Sequence, residues 1–136
     1  MSVDSAIDAM LMTVLGGDAT LSTLAPGGVW RGIAPSGVTG TVVVFSQASG
    51  TDDYVLSKRA FTVYRYLVKA ITPGESSAPA NLAADRIDAL LNDATPTLTS
   101  GTLLYMRRAQ TVSMPEALGG ETYQHAGGYY DIYAEG

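Results

Sequence analysis

The run from Arg59 to Ile71, RAFTVYRYLVKAI, limits what this chain can fold into more than any other segment. It is rich in Phe, Val, Tyr and Leu, which favour extended backbone. As a strand, its faces read Phe61, Val63, Arg65, Leu67, Lys69 on one side and Thr62, Tyr64, Tyr66, Val68, Ala70 on the other. Neither face is plainly polar, whereas a strand wet on one side alternates apolar with polar residues. One face is therefore expected under helices. The other is expected to be only partly wet and to touch something else.

The chain supplies two helices for the covered face. Val3, Ile7, Met10, Leu11, Val14 and Leu15 form one apolar stripe at period 3.6. Ser2 or Asp4 can cap its start, and Gly16-Gly17 stops it. Asp18 to Ala25 reads as a short turn that adds another half-helix before Pro26-Gly27-Gly28 breaks it. Ala83, Ile87, Leu90 and Leu91 give a second stripe, with Ser77 as cap, Pro79 in the first turn and Pro96 barring continuation. Strand-like runs lie at Val29–Ile33, Thr41–Ser46, Thr102–Thr111 and Thr122–Tyr133. The polar, Gly-containing stretch SQASGTDDYVL (46–56) reads as a flexible loop, and SMPEALGGE joins the last two strands. The order α-β-β-β-α-β-β predicts one α+β domain over residues 1–136, a small, largely antiparallel sheet with two helices packed on one face.

Composition narrows the function. With 46% hydrophobic residues and a mean hydropathy of +0.14, the chain is not a disordered one. Charged residues make up 15%, against roughly 25% in an average soluble domain, so part of the surface is expected to be hidden against a partner. A net charge of −5 argues against a general DNA binder or an anionic-membrane binder. With no cysteine, disulfide scaffolds, thiol nucleophiles and thiolate metal sites are excluded. No segment reaches the roughly 18 consecutive apolar residues of a membrane span. Asp4 and Asp8 stand where a signal peptide would be basic and then apolar, so the chain reads as soluble and made in the cytosol.

Catalytic motifs are scarce. His125 is the only histidine, Asp131 lies six residues on, and no Gly-x-Ser-x-Gly elbow occurs. A strand or loop histidine making an ordinary hydrogen bond accounts for His125. Asp52-Asp53 reads as a solvated loop, and Asp85 with Asp88 as the wet side of the second helix. The glycine pairs form no phosphate cradle, although Gly127-Gly128 suggests a bulge or a close backbone approach. No enzyme activity, metal or cofactor is expected.

Six of the eight basic residues, Lys58, Arg59, Arg65, Lys69, Arg107 and Arg108, fall on or beside predicted strands. Nucleic-acid binding, with Tyr64, Tyr66 and Tyr105 as stacking platforms, is one explanation, and the acidic total opposes it. Ion pairs to a neighbouring subunit explain the same pattern and are the favoured reading.

The ordered set of elements resembles the tail terminator (tail completion) proteins of long-tailed, siphovirus-type bacteriophages. The matching features begin with the first helix closing in Leu15-Gly16-Gly17-Asp18, then Val29-Trp30-Arg31-Gly32-Ile33-Ala34-Pro35 and Val42-Val43-Val44-Phe45. They continue with Ala83-Ala84-Asp85-Arg86-Ile87-Asp88-Ala89-Leu90-Leu91 and the closing Tyr123-Gln124-His125-Ala126-Gly127-Gly128-Tyr129-Tyr130-Asp131-Ile132-Tyr133. The resemblance implies a structural protein of the virion, assembled in the host bacterial cytoplasm. It implies a homo-hexameric ring that caps the head-proximal end of the tail tube, ends its polymerisation and offers a joining surface to the head–tail connector. DNA would pass through the lumen without specific binding. On this reading the loops at 46–57 and 110–121 meet tube or connector through Asp52, Asp53, Tyr54, Val55, Met114, Pro115 and Leu118. The six strand-borne cations would serve subunit contacts. Another neck or head-completion protein, a nucleic-acid module and, last, a hydrolase around His125 are the alternatives.

Overall fold

A computed structural model of the chain describes residues 2–55 and 58–136; the side chains of Val55 and Lys58 lie outside the described residues. The elements are α1 (Val3–Gly16), α2 (Ala19–Leu24), β1 (Val29–Arg31), β2 (Val42–Val55), β3 (Lys58–Pro73), α3 (Ala78–Leu91), β4 (Thr102–Leu118) and β5 (Glu121–Glu135). They build a five-stranded sheet in the order β1-β2-β3-β5-β4. β1 runs parallel to β2, and the other neighbours are antiparallel. The α+β architecture is the expected one. The half-helix expected between Asp18 and Ala25 is a third helix, α2.

β3 is the centre of the sheet, and its helix-side face is closed. Tyr66, Val68 and Ala70 are fully buried beneath Ile7, Leu11 and Leu15 of α1 and Ala83, Ile87 and Leu91 of α3. Each fully buried Leu or Ile stabilises this layer by about 1.5–3 kcal/mol relative to leaving it exposed. Ser2 caps α1 by accepting from the Ser5 amide at 3.2 Å. Ser77 is the N-cap residue of α3 with proline in the first turn, but its hydroxyl makes no capping bond to the backbone.

Two core tyrosines fasten helices to sheet. The Tyr66 hydroxyl donates to Asp8 of α1 at 2.7 Å, and Arg31 reaches the other oxygen of that carboxylate at 2.6 Å. The Tyr130 hydroxyl donates to Asp88 of α3 at 3.0 Å, with Arg108 3.6 Å away. Burial first, and then the carboxylate acceptor, pushes both phenols well above their usual range. Asp88, expected on the wet side of its helix, instead faces the sheet, because a buried phenol needs an acceptor. Asp85 alone is exposed there. Asp18 joins the helices to each other. One oxygen caps α2 at the Leu21 amide (2.8 Å), and both bind Arg86 of α3 at 2.8 and 2.9 Å.

The two expected loops are strands. β2 continues through SQASGTDDY because β3 offers backbone partners along its whole length, pairing Asp52 with Thr62 and Tyr54 with Arg59. The Thr62 hydroxyl adds a 2.6 Å bond to Asp52. A ladder of backbone hydrogen bonds tolerates polar side chains, so composition alone misleads here. β4 likewise runs to Leu118 and turns at Gly119 and Gly120, whose φ values of 62° and 84° suit a two-residue type I′ hairpin. The outer strands are bent where Ala48 of β2 and Leu104 and Ala109 of β4 are skipped in the register. Gly127-Gly128 marks a close approach, with no register shift between β3 and β5. A Cβ at Gly127 would fall on the Val68 carbonyl oxygen and the Lys69 Cα of β3, and one at Gly128 would stand 2.7 Å from the Gln110 carbonyl oxygen of β4.

Gly127→Ala therefore should lower stability by about 1–3 kcal/mol, read as a shifted urea midpoint, because backbone must move to admit the methyl. The Asp18 carboxyl is held at about 2, below its usual 3.8, first by the Arg86 hydrogen bonds and then by the Leu21 amide. A carboxyl depressed in the folded state contributes stability above its unfolded value and loses it as pH falls through the folded one. Wild type should therefore weaken between pH 4 and 2 more than Asp18→Asn, which should be less stable at pH 7, as thermal melts across that range will show.

Candidate interaction surfaces

The helix-free face is ordered in rows across the sheet by the strand registers. Val63, Tyr133 and Tyr105 make one row; Arg65, Asp131 and Arg107 the next; then Leu67, Tyr129 and Gln110; and further on Ile71, His125 and Met114. Tyr105 stacks on Tyr133 with centroids 4.1 Å apart and planes 13° from parallel, and Phe61 tilts against Tyr133 at 5.9 Å. Arg65 lies over Tyr129 and Arg107 over Tyr105, at 5.9 and 5.8 Å from the ring centres. No helix lies on this face, and most of its β3 and β5 side chains are half-buried among themselves. The expected partly wet, under-polar second face is present.

Its one carboxylate in these rows is neutralised from within. Arg65 donates to both oxygens of Asp131, at 2.8 and 3.0 Å. That carboxylate, hydrogen bonds first, raises the guanidinium's pKa further. Arg59 stands 3.8 Å from Asp52, and Arg108 is turned to the helix side with Asp88. Among the described residues Lys69 and Arg107 have no carboxylate within ion-pair distance. Of the six cations singled out in the sequence, then, Arg65, Lys69 and Arg107 share the helix-free face. Arg59 and Arg108 do not join them, and the Lys58 side chain is outside the described residues. Arg59, Arg65 and Arg108 are already paired inside the chain, which leaves few free cations for phosphates.

The residues singled out as contact loops sit at opposite ends of the molecule. Asp52, Asp53 and Tyr54 end the β2–β3 arm, with Tyr54 64% exposed; the Val55 side chain is outside the described residues. Met114, Pro115 and Leu118 lie on the β4–β5 arm at the other end, with Met114 45% and Leu118 66% exposed. Both groups are strand residues, a correction of the loop expectation. In both arms the backbone pairing runs through these residues.

A feature missed in the sequence lies at that second end. The segment 32–40 folds beside the sheet and, with the β4–β5 arm, encloses a cleft of about 800 Å³. Val42, Val44 and Ile71 line it, with Lys69, and Ile33 stands on it 87% exposed. Its carboxylates are engaged locally: Glu116 Oε1 is hydrogen-bonded to His125 Nε2 at 3.0 Å, and Glu121 accepts from the Tyr123 hydroxyl at 2.7 Å. The exposed apolar residues of the turn-rich segment Gly32-Ile33-Ala34-Pro35 were the available signal.

His125 is 4% exposed, and its Nδ1 is buried without a hydrogen-bond partner among the described residues. Its bond to Glu116 is the ordinary one expected. Asp131 stands rows away and belongs to Arg65, so these residues do not assemble a catalytic triad.

A family model for tail completion protein gp17 matches residues 9–126. The chain belongs to this family of structural phage tail proteins, and is a virion component. Its fold is also that of a chain in the solved virion of a native gene transfer agent particle. That match has a TM-score of 0.78 and 20% identity, covering 93% of this chain and 92% of that one. A second solved structure matches at a TM-score of 0.56 and 18% identity, over 97% and 96% of the two chains. No curated protein matches the sequence. No helix among the described residues is long and apolar enough to cross a membrane.

Arg65→Ala should cost about 1–2 kcal/mol, less than for a fully buried pair because the Arg65 side chain is 40% exposed. Asp131→Asn should cost less, since it keeps an acceptor; paired denaturation curves give both values.

Proposed function

We propose that this chain is the terminator of a phage-type tail. Identical copies close a hexameric ring on the head-proximal end of the tube, stop its growth and present a docking surface to the head connector, and DNA leaves through the lumen. The observation that carries this reading is the family match over residues 9–126. The surface supports it: an uncovered apolar sheet face and a charged fraction of only 15% suit a chain that buries much of its surface against copies of itself. The activity is binding without chemistry, in keeping with a histidine and an aspartate that are each held by a neighbouring side chain. An acidic ring does not hold phosphates, so passing DNA is not retained.

The test is assembly. A phage or transfer-agent particle lacking this gene should make tails of uncontrolled length that carry no heads, and the purified chain should restore normal length and joining. Pull-down should capture tube protein. Capture of connector alone, with tail length unaffected by the deletion, would assign the chain to the neck and overturn the terminator reading.

A further inference from the structure

We propose that the outer side of α3 of one copy packs on the helix-free sheet face of the next, with Leu82 against the Tyr105–Tyr133 stack and Asp85 against Arg107. The inference rests on the ring reading and deepens it by naming the joint.

The occupant follows from the surface that α3 leaves bare. Its buried stripe is Ala80, Ala83, Ile87 and Leu91. On the opposite side, at the same helical period, stand Ala78, Leu82, Asp85 and Ala89, all exposed. A surface helix ordinarily carries charged and polar residues there. α3 presents three apolar side chains and one carboxylate instead, with Leu82 56% exposed. The neighbouring α1 repeats the arrangement, with Ser5, Ala9, Met12 and Gly16 outermost. The helix layer is therefore as short of charge on its outer surface as the sheet face behind it.

Charge selects which faces meet. On the helix side Arg31 is held by Asp8, Arg86 by Asp18 and Arg108 by Asp88, which leaves Asp85 without a cation within ion-pair distance among the described residues. In the middle rows of the sheet face the balance is reversed, since Asp131 is taken by Arg65 while Lys69 and Arg107 are left over. The other carboxylates of β4 and β5, Glu116, Glu121 and Glu135, lie toward the strand ends. Two sheet faces brought together would set Arg107 and Lys69 against their own copies in a two-fold contact. Helix side on sheet side joins two different patches and repeats from copy to copy, which is what ring closure requires. The spacing also fits. Leu82 and Asp85 are about 4.5 Å apart along the helix axis, and the Arg107 guanidinium lies 5.8 Å from the Tyr105 ring centre, so one helical turn reaches both. Pairing at the β4 edge is closed off in the same place. There the Asp93 amide donates to the Met106 carbonyl oxygen at 2.8 Å, and the Arg108 amide donates to Asn92 Oδ1 at 2.9 Å.

The chain has no cysteine, which makes the joint directly testable. Full-length Asp85→Cys and Arg107→Cys proteins, mixed in the presence of tube protein and mildly oxidised, should give predominantly the mixed disulfide dimer. The doubly substituted chain should give a covalent ladder ending at the ring. Leu82→Asp and Asp85→Arg should each weaken assembly at least tenfold in light scattering while leaving the circular dichroism spectrum unchanged, and Asp85→Arg with Arg107→Asp should recover it. Rings that form in negative stain without the mixed cross-link, and that ignore these substitutions, would overturn the joint while leaving the ring standing. Arg107→Cys chains that link chiefly to one another would overturn it in favour of two sheet faces meeting. Absence of both rings and cross-links, with tube protein present, would overturn the joint and the ring together.

Discussion

A single sheet covered by helices on one side only has a second face that something else must finish. Here the covered side absorbs the apolar residues of α1 and α3 and the phenols of Tyr66 and Tyr130, each tied to a helix carboxylate. The other side carries tyrosines, branched aliphatics and a bidentate Arg65–Asp131 pair, with no helix above them. Hydrophobic burial is proportional to area removed from water, so this face retains part of its stabilising capacity for association. The low charge content of the chain is the compositional trace of the same arrangement.

The bulged outer strands keep that capacity from becoming indiscriminate. The bulges of the outer strands bend their edges, and Gly127-Gly128 lets β5 approach both neighbours more closely than any side chain would allow. Aromatic residues thereby cover one another on the free face, which is half-buried even in the isolated chain. Blunted edges and a self-covered face restrict association to partners that match its shape.

Much of this was legible beforehand, and the failures have identifiable causes. Helix stripes such as Val3-Ile7-Met10-Leu11 report burial directly, since the period of the pattern is the period of the structure. The two faces of Arg59–Ile71 likewise announced one covered and one uncovered side. The outer half of β2 was hidden because SQASGTDDY looks like a loop by composition, while its pairing is decided by the length of β3. The Gly119-Gly120 turn was a readable hairpin signal that the polar surroundings obscured. The partners of Arg65 and Arg108 depend on cross-strand register and on helix docking, which no local pattern encodes. So cations that read as free for a neighbour were in part committed within the chain.

That partial commitment sharpens what the surface can do. Fixed ion pairs such as Arg65–Asp131 shape the face but contribute little to attracting a partner, since their fields largely cancel beyond a Debye length of about 8 Å at physiological salt. Steering falls to the charges without an ion pair among the described residues, Lys69, Arg107 and Asp53 among them.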